Sequence, residues 1–501
     1  MATAAVQDTR NSDTAATHVD VLIVGAGISG IGSAYHLQEQ CPGKSYVILE
    51  MKDTFGGTWE THKYPGVRSD SDLYTFGYRF KPWVGPPIAT ADEIRKYMAE
   101  VIDDNDIARH IRYRHKILRA RWSSRDNIWT VEATQLETGD TVVFTTNFLW
   151  MCQGYYRHDE GYTPEWEGME TFKGRIVHPQ TWPKDLDYAG KKVIVIGSGA
   201  TAATVVPNIA DDVAHVTMLQ RSPTFFRTGR NAIEIADELR KLEVDETWIH
   251  EIVRRRILRD QSEFTRRSFE EPDKVRAELL GGVRAYLGPD YDIDTHFTPS
   301  YRPWRQRIAY VPDGDLFRGI RSGKASVVTD EIDRFTEKGI RLKSGRELEA
   351  DIIVTATGFH LNVLGDIAFS IDGKPLDFAE TVTYRGMMFT GVPNLLWVFG
   401  YFRSSWTLRA DLIGELAPRL LRHMDERGVK RVEPALRPED ADMTLGPWTD
   451  PEDFNPGYLM RSMHLMPKAG SKPEWRHTQD YWAEKDTLPA IDLDAPELVY
   501  G

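Results

Sequence analysis

Val21-Leu-Ile-Val-Gly-Ala-Gly-Ile-Ser-Gly30 sets four apolar residues directly before a Gly-x-Gly-x-x-Gly turn. Asp20 to Val24 reads as a short strand, an amphipathic helix follows to about Gln40, and a second strand, Ser45 to Leu49, ends in Glu50. This is a βαβ unit, and each glycine has a separate task in it. Gly25 makes the tight turn, Gly27 lets the backbone approach a pyrophosphate, and Gly30 lets the helix pack closely on the strand. The first helical turn, which holds Ser29, presents unpaired N–H groups to phosphates. Glu50 is placed to accept ribose hydroxyls.

The pattern returns at Val193-Ile-Val-Ile-Gly-Ser-Gly-Ala-Thr-Ala202. Gly197, Ser198, Gly199, Ala200, Thr201 and Ala202 are expected around a second set of phosphates. Here the second strand, His215 to Leu219, ends in Gln220-Arg221 instead of a carboxylate. A carboxylate repels a 2′-phosphate, whereas a guanidinium pairs with it. The first unit therefore suits FAD and the second NADPH. The expected fold class is α/β, with two Rossmann-like dinucleotide-binding domains and a helical insertion in the NADPH domain.

Composition narrows the function. A chain of 501 residues exceeds one hydrophobic core, so two or three domains are expected. A net charge of −13 argues against nucleic acid or an anionic membrane as main partner. Cys41 and Cys152 form no C-x-x-C pair, which excludes a dithiol redox centre and a cysteine-ligated zinc site. They suit a reducing cytoplasm as buried, inert thiols. Residues 1–17 read as a disordered lead-in without the apolar core of a signal peptide. No run reaches the roughly 18 apolar residues of a membrane span. No metal is expected, and nothing in the pattern assigns an oligomeric state.

The FAD domain is expected over 18–155 and again from 365 to 501, the latter including a Pro-rich tail wrapping the surface after Glu433. The NADPH domain is expected over 156–227 and 299–364. Between its halves, 228–298 carries long charged helical stretches, in which Arg254-Arg-Arg256 reads as a solvated face. Ile117 to Trp122, Trp129 to Ala133 and Thr141 to Thr145 read as a small antiparallel insertion. Phe148 to Gly154 follows as a separate buried strand, and Ala350 to Gly358 as another hydrophobic strand ending in Thr-Gly.

Between the two nucleotide units lies Phe172-x-Gly174-x-x-x-His178-x-x-x-Trp182-Pro183. Together with Gly56-Gly-x-Trp59, Tyr64-Pro-Gly66 and Asp70, it resembles the fingerprint of type I Baeyer–Villiger flavin monooxygenases. From Val19 to about Trp475 the chain is similar to the ethionamide-activating mycobacterial branch of that family. The match is weaker in 228–290 and in the tail.

The resemblance implies that NADPH reduces FAD, that O₂ adds at flavin C4a, and that the peroxyflavin converts ketones to esters or lactones. Sulfoxidation of thioethers is the second activity it implies. It makes Thr58, Trp59, Asp70, Ile117 and Gly358 cofactor-binding residues, and carries Arg68 and Ser69 to NADP⁺. In Pro303-Trp-Arg-Gln-Arg-Ile308 the residues alone leave Arg305 and Arg307 open as the cation an oxygen anion needs. The resemblance selects Arg307 and makes Asp70 its counter-charge, where the bare loop suggests only an Asx turn. His178 reads as a structural hydrogen-bonding residue, Trp182 as a packing or hinge residue, and the fingerprint as a coupling between domains. Gln306 stands where the family often has Lys, which bears on the choice of NADPH over NADH. Alternative readings are an N- or S-oxygenating flavin monooxygenase and a non-oxygenating NADPH–flavin oxidoreductase.

Overall fold

The computed structural model describes residues 16–501. The disordered lead-in expected over 1–17 lies, up to residue 15, outside the described residues; Thr17 already opens the first strand, Thr17–Val24.

Two sheets organise the chain, the first mixed about a parallel centre. In the first, Thr17–Val24 is flanked in parallel by Tyr46–Leu49 and by Thr141–Met151, and Leu395–Trp397 joins beside the latter. Successive side chains of a strand point to opposite faces. Val21 and Ile23 accordingly enter one core, beneath the helices Ile28–Gln40 and Trp406–Arg427, while Leu22 and Val24 enter another with Trp397 and Phe399. Both faces are covered, which explains the unbroken apolar run in the sequence. The helix Trp406–Arg427 lies close on Ile28–Gln40 because position 414 is glycine. A Cβ there would stand 2.5 Å from the His36 ring.

The second sheet is wholly parallel, in the order Ala325–Thr329, His215–Gln220, Lys192–Ile196, Ile352–Thr355, Arg175–Val177. Val193 and Val195 face the helix Ala200–Ile209; Ile194 and Ile196 face the opposite core with Phe172. Gly174 belongs to the edge of this sheet, where a Cβ would lie 2.1 Å from the Asp351 carbonyl oxygen.

The chain crosses between the sheets twice, after Thr141–Met151 and after Ile352–Thr355. The two crossings, Tyr156–Gly161 and Phe359–Leu361, pair with each other as an antiparallel ribbon.

Three expectations need correction. The antiparallel strands His115–Ser123 and Ile128–Gln135 are no separate insertion but extend the first sheet. The pieces expected at 141–145 and 148–154 belong to one strand, Thr141–Met151, which is half-exposed at its start and buried at its end. That change of environment makes one strand look like two. Arg254 is buried in the helix Glu246–Glu270 and donates to the Tyr74 carbonyl at 2.9 Å; only Arg255 and Arg256 are exposed.

Candidate functional site

The carboxyl ends of the central strands of both sheets open on one cleft of about 690 Å³. This is where an α/β sheet binds its ligands. The Gly-rich turns at 25–27 and 197–199 line it together.

The two turns are built alike. The N–H of Gly25 donates to the Leu49 carbonyl and that of Gly197 to the Leu219 carbonyl, each at 2.8 Å. Both glycines have positive φ, +97° and +127°, and a Cβ would meet the Cys152 carbonyl oxygen at 2.9 Å or the Ala356 carbonyl oxygen at 2.3 Å. The helices that follow begin at Ile28 and Ala200 with no side-chain cap. Their first N–H groups stay available, and such an end is a phosphate cradle. A Cβ on Gly199 would meet no heavy atom within 4 Å, so the space above that helix end is open. These two uncapped, glycine-lined ends fit the diphosphates of two dinucleotides. Gly199→Ala is therefore expected to leave thermal stability unchanged but to raise the KM for the nicotinamide cofactor by roughly tenfold, the methyl taking up space needed by phosphate. Melting curves and cofactor titration check this.

On the first side, the Glu50 carboxylate is buried and accepts the N–H of Ala26 and of Lys52, both at 2.8 Å. It thus braces the Gly-rich turn while lining the cleft. Ser29 lines the cleft and accepts the Trp406 indole N–H at 2.8 Å. Thr58, Trp59, Ile117 and Gly358 also line it. On the second side, Ser198, Ala200, Thr201 and the exposed Arg221 do so. Gly30 and Ala202 are buried beneath the turns and do not reach the lining.

Gln220 is a correction. It is 2% exposed, and its amide donates to the His296 carbonyl at 2.7 Å and to the Thr329 hydroxyl at 2.8 Å. Strand alternation turns Gln220 inward where Arg221 turns outward. It is a packing residue.

At the junction of the two halves, Arg307 donates to Asp70 at 2.7 Å, with about a third of each side chain still open, into the cleft they both line. The Asp70 carboxylate raises the pKa of Arg307, outweighing the opposing effect of burial. A fixed cation results. Arg305, the other candidate, pairs with Glu452 at 2.8 Å and does not line the cleft. Trp304, just before both arginines, has a φ of +61°, unusual for a bulky residue. Arg68 and Ser69 line the cleft beside Asp70, Arg68 donating to Asp315 at 2.6 Å.

None of the fingerprint residues Phe172, Gly174, His178, Trp182 and Pro183 lines the cleft. Trp182 packs edge-on against Tyr188 in the second core. His178 accepts the Gln180 N–H at Nδ1 and donates from Nε2 to the Gly358 carbonyl, both at 3.1 Å. Burial lowers its pKa, which agrees with a neutral ring in this tautomer. The Gln180 amide donates to the Arg157 carbonyl at 2.6 Å. The segment is thus fastened to one strand of the inter-sheet ribbon, at Arg157, and to Gly358 just before the other.

Sequence reasoning missed several lining residues. Tyr155 and Tyr156 directly follow Gly154, where the sequence reads as the end of a buried strand, which was a usable signal. Tyr458 and Arg461 come from the tail expected to wrap the surface. That tail is anchored instead by Trp448 and Trp475, both buried. Its proline content gave no sign of this.

The comparisons agree with this architecture. A model of the NAD(P)-binding Rossmann-like domain matches residues 23–84, and one of flavin-binding monooxygenase-like proteins matches 80–230. The FAD-containing monooxygenase EthA of Mycolicibacterium smegmatis is 47% identical over 483 residues, 96% of either chain. Its counterpart in Mycobacterium tuberculosis is 47% identical over 466 residues, 93% of this chain and 94% of that one. Among solved structures, an oxidised steroid monooxygenase bound to NADP superposes with a TM-score of 0.75 at 21% identity, covering 97% of this chain and 99% of that one. A complex of OTEMO with FAD and NADP gives 0.73 at 19% identity, covering 97% and 100%. The fold is that of enzymes with two dinucleotide-binding domains. The chain belongs to the FAD-containing monooxygenases.

Proposed function

We propose that the protein is an NADPH-dependent Baeyer–Villiger monooxygenase that converts ketones to esters or lactones and oxidises thioethers to sulfoxides. The observation that carries this reading is Arg307, held by Asp70 at 2.7 Å where the two nucleotide cradles meet. FAD, reduced by NADPH, supplies the activation of O₂ and the transfer of one oxygen atom. The chain's own task is to hold both cofactors, exclude water, and stabilise negative charge on oxygen. Guanidinium suits the last task, because it stays protonated and offers several donors in a fixed plane. Asp70 keeps it oriented and offsets the cost of placing a charge in a cleft. The fingerprint ending Trp182-Pro183 supports this reading over N-oxygenation.

Small-molecule ketones or thioethers and O₂ are the proposed partners, with no nucleic acid. Among the described residues no helix is long and apolar enough to cross a membrane. A cytoplasmic setting is proposed from the two buried free thiols.

The test is a panel of ketones, thioethers and amines with product identification against NADPH consumption. Esters from ketones are expected. Amine products alone would favour the N-oxygenating reading, and peroxide release without any oxygenated product would favour a non-oxygenating oxidoreductase.

Arg221, at the strand end and with no carboxylate within salt-bridge distance among the described residues, is assigned to the 2′-phosphate. Arg221→Ala is expected to raise the KM for NADPH by roughly ten- to a hundredfold, as for a lost charge-assisted hydrogen bond. The KM for NADH should change far less. Equal changes for both would refute the assignment.

A further inference from the structure

Three phenol rings stand around the Arg307 guanidinium: Tyr155 and Tyr156 at the head of the inter-sheet ribbon, and Tyr458 from the tail. Tyr155 stacks on Trp406 with 5.0 Å between ring centroids, and Tyr156 leans on Phe359 at 4.5 Å. Tyr458 meets Tyr156 edge-on at 5.7 Å. The hydroxyls of Tyr155 and Tyr156 hydrogen-bond to each other at 2.6 Å. Tyr458 is close enough to feel both, yet its Oη is shut off from solvent and makes no hydrogen bond of ordinary geometry among the described residues.

Three hydroxyls carry three hydrogens, and one is used within the Tyr155–Tyr156 pair. The other two are not held by that bond. Burial raises the pKa of all three phenols, so they remain O–H donors across any working pH. A hydroxyl buried without a partner is costly. Its occurrence in a ligand cleft, beside a fixed cation and among aromatic rings, points to an acceptor atom that the ligand brings.

We propose that Tyr458, whose side chain lines the cleft, turns its hydroxyl to the ketone as the donor that recognises the carbonyl oxygen, backed by the Tyr155–Tyr156 pair. The assignment rests on the Baeyer–Villiger reading above and deepens it. A carbonyl oxygen is a good acceptor in the ground state and a better one as it gains negative charge during addition at its carbon. The hydroxyl and Arg307 then stabilise the same developing charge. A thioether sulfur is a weak acceptor and gains nothing comparable. Tyr458 thereby favours ketone over thioether by more than shape.

Acetophenone and thioanisole differ chiefly in presenting C=O or S beside the same phenyl and methyl groups, and benzamide presents a carbonyl that is not turned over. With the FAD-loaded enzyme, Tyr458→Phe is expected to lower kcat/KM for acetophenone by roughly ten- to a hundredfold. For thioanisole the change should stay within about threefold, since its sulfur makes no such bond. The Kd of benzamide, from calorimetric titration in the presence of NADP⁺, should rise about tenfold. Equal losses on the two substrates, or no loss on either, would overturn the assignment. Flavin content and the visible spectrum report whether Tyr458→Phe folds. If it does not, Tyr156→Phe serves, and its loss must again be greater for acetophenone than for thioanisole. A wild-type enzyme that forms no ester from acetophenone fails the ketone reading itself. Benzamide affinity that is the same in wild type and variant fails this assignment alone.

Discussion

Arg307→Ala is expected to go on oxidising NADPH while its yield of oxygenated product falls by roughly 10²–10³-fold, the loss found when one preorganised donor to a developing oxyanion is removed. The two measurements separate because the residues that cradle the nucleotides are distinct from the cation. Gly25, Gly27, Gly197 and Gly199 shape backbone on either side of the cleft, and Arg307 stands between them on a loop held by Asp70. Rapid-mixing spectroscopy of flavin reduction should therefore give a rate near that of wild type, with the NADPH consumed appearing as hydrogen peroxide. Wild-type ester yield from Arg307→Ala would remove the cation from the chemistry. Loss of flavin reduction as well would make Arg307 a cofactor-binding residue. Arg307→Lys keeps the charge but loses the planar set of donors, and an intermediate yield is expected.

Gly30→Ala is expected to yield protein without bound FAD. The added Cβ would stand 1.9 Å from the Gly25 carbonyl oxygen and 3.1 Å from its carbon, with Ile23 behind at 3.5 Å. Its principal obstacle is backbone in the turn that holds the cofactor, so no rotamer change relieves the clash. The helix Ile28–Gln40 must lift from its strand, at a cost of roughly 1–3 kcal/mol or more for an overpacked core. The lift also carries its uncapped first turn out of position for the diphosphate. Absorbance at the flavin band after purification, and reconstitution with excess FAD, measure the effect. Retention of FAD at wild-type affinity would mean that the helix does not need its close seat on the strand.

The legible and illegible parts of this chain divide by the range of the interactions involved. Each nucleotide unit is written within a few tens of consecutive residues. The glycine spacing and the acid or base at the second strand's end therefore announce themselves. The pairing of Asp70 with Arg307 spans 237 positions. Bare sequence left two arginines open, and only resemblance chose between them. Tyr458 was invisible for the same reason, because the six-residue helix Gly457–Ser462 is too short for periodicity to show which way it faces. Gln220 misled through adjacency. It neighbours Arg221 in sequence, but the two-residue repeat of a strand sends neighbours to opposite sides. Arg254 misled through composition, since two exposed arginines beside it made the triplet look uniformly wet.

The ribbon that joins the two sheets has a mechanical consequence. Both covalent passages run side by side and are bonded to each other, and Gln180 holds one at Arg157 while His178 holds Gly358 just before the other. A double strap of this kind bends easily across its flat side but resists twist and sideways shear, both of which would break its cross-links. Rocking of the two nucleotide-holding halves is expected to follow that flat side, within what the Asp70–Arg307 and Arg68–Asp315 pairs allow. Tyr156 sits at the end of that strap, so rocking would swing a wall of the reaction chamber along with it.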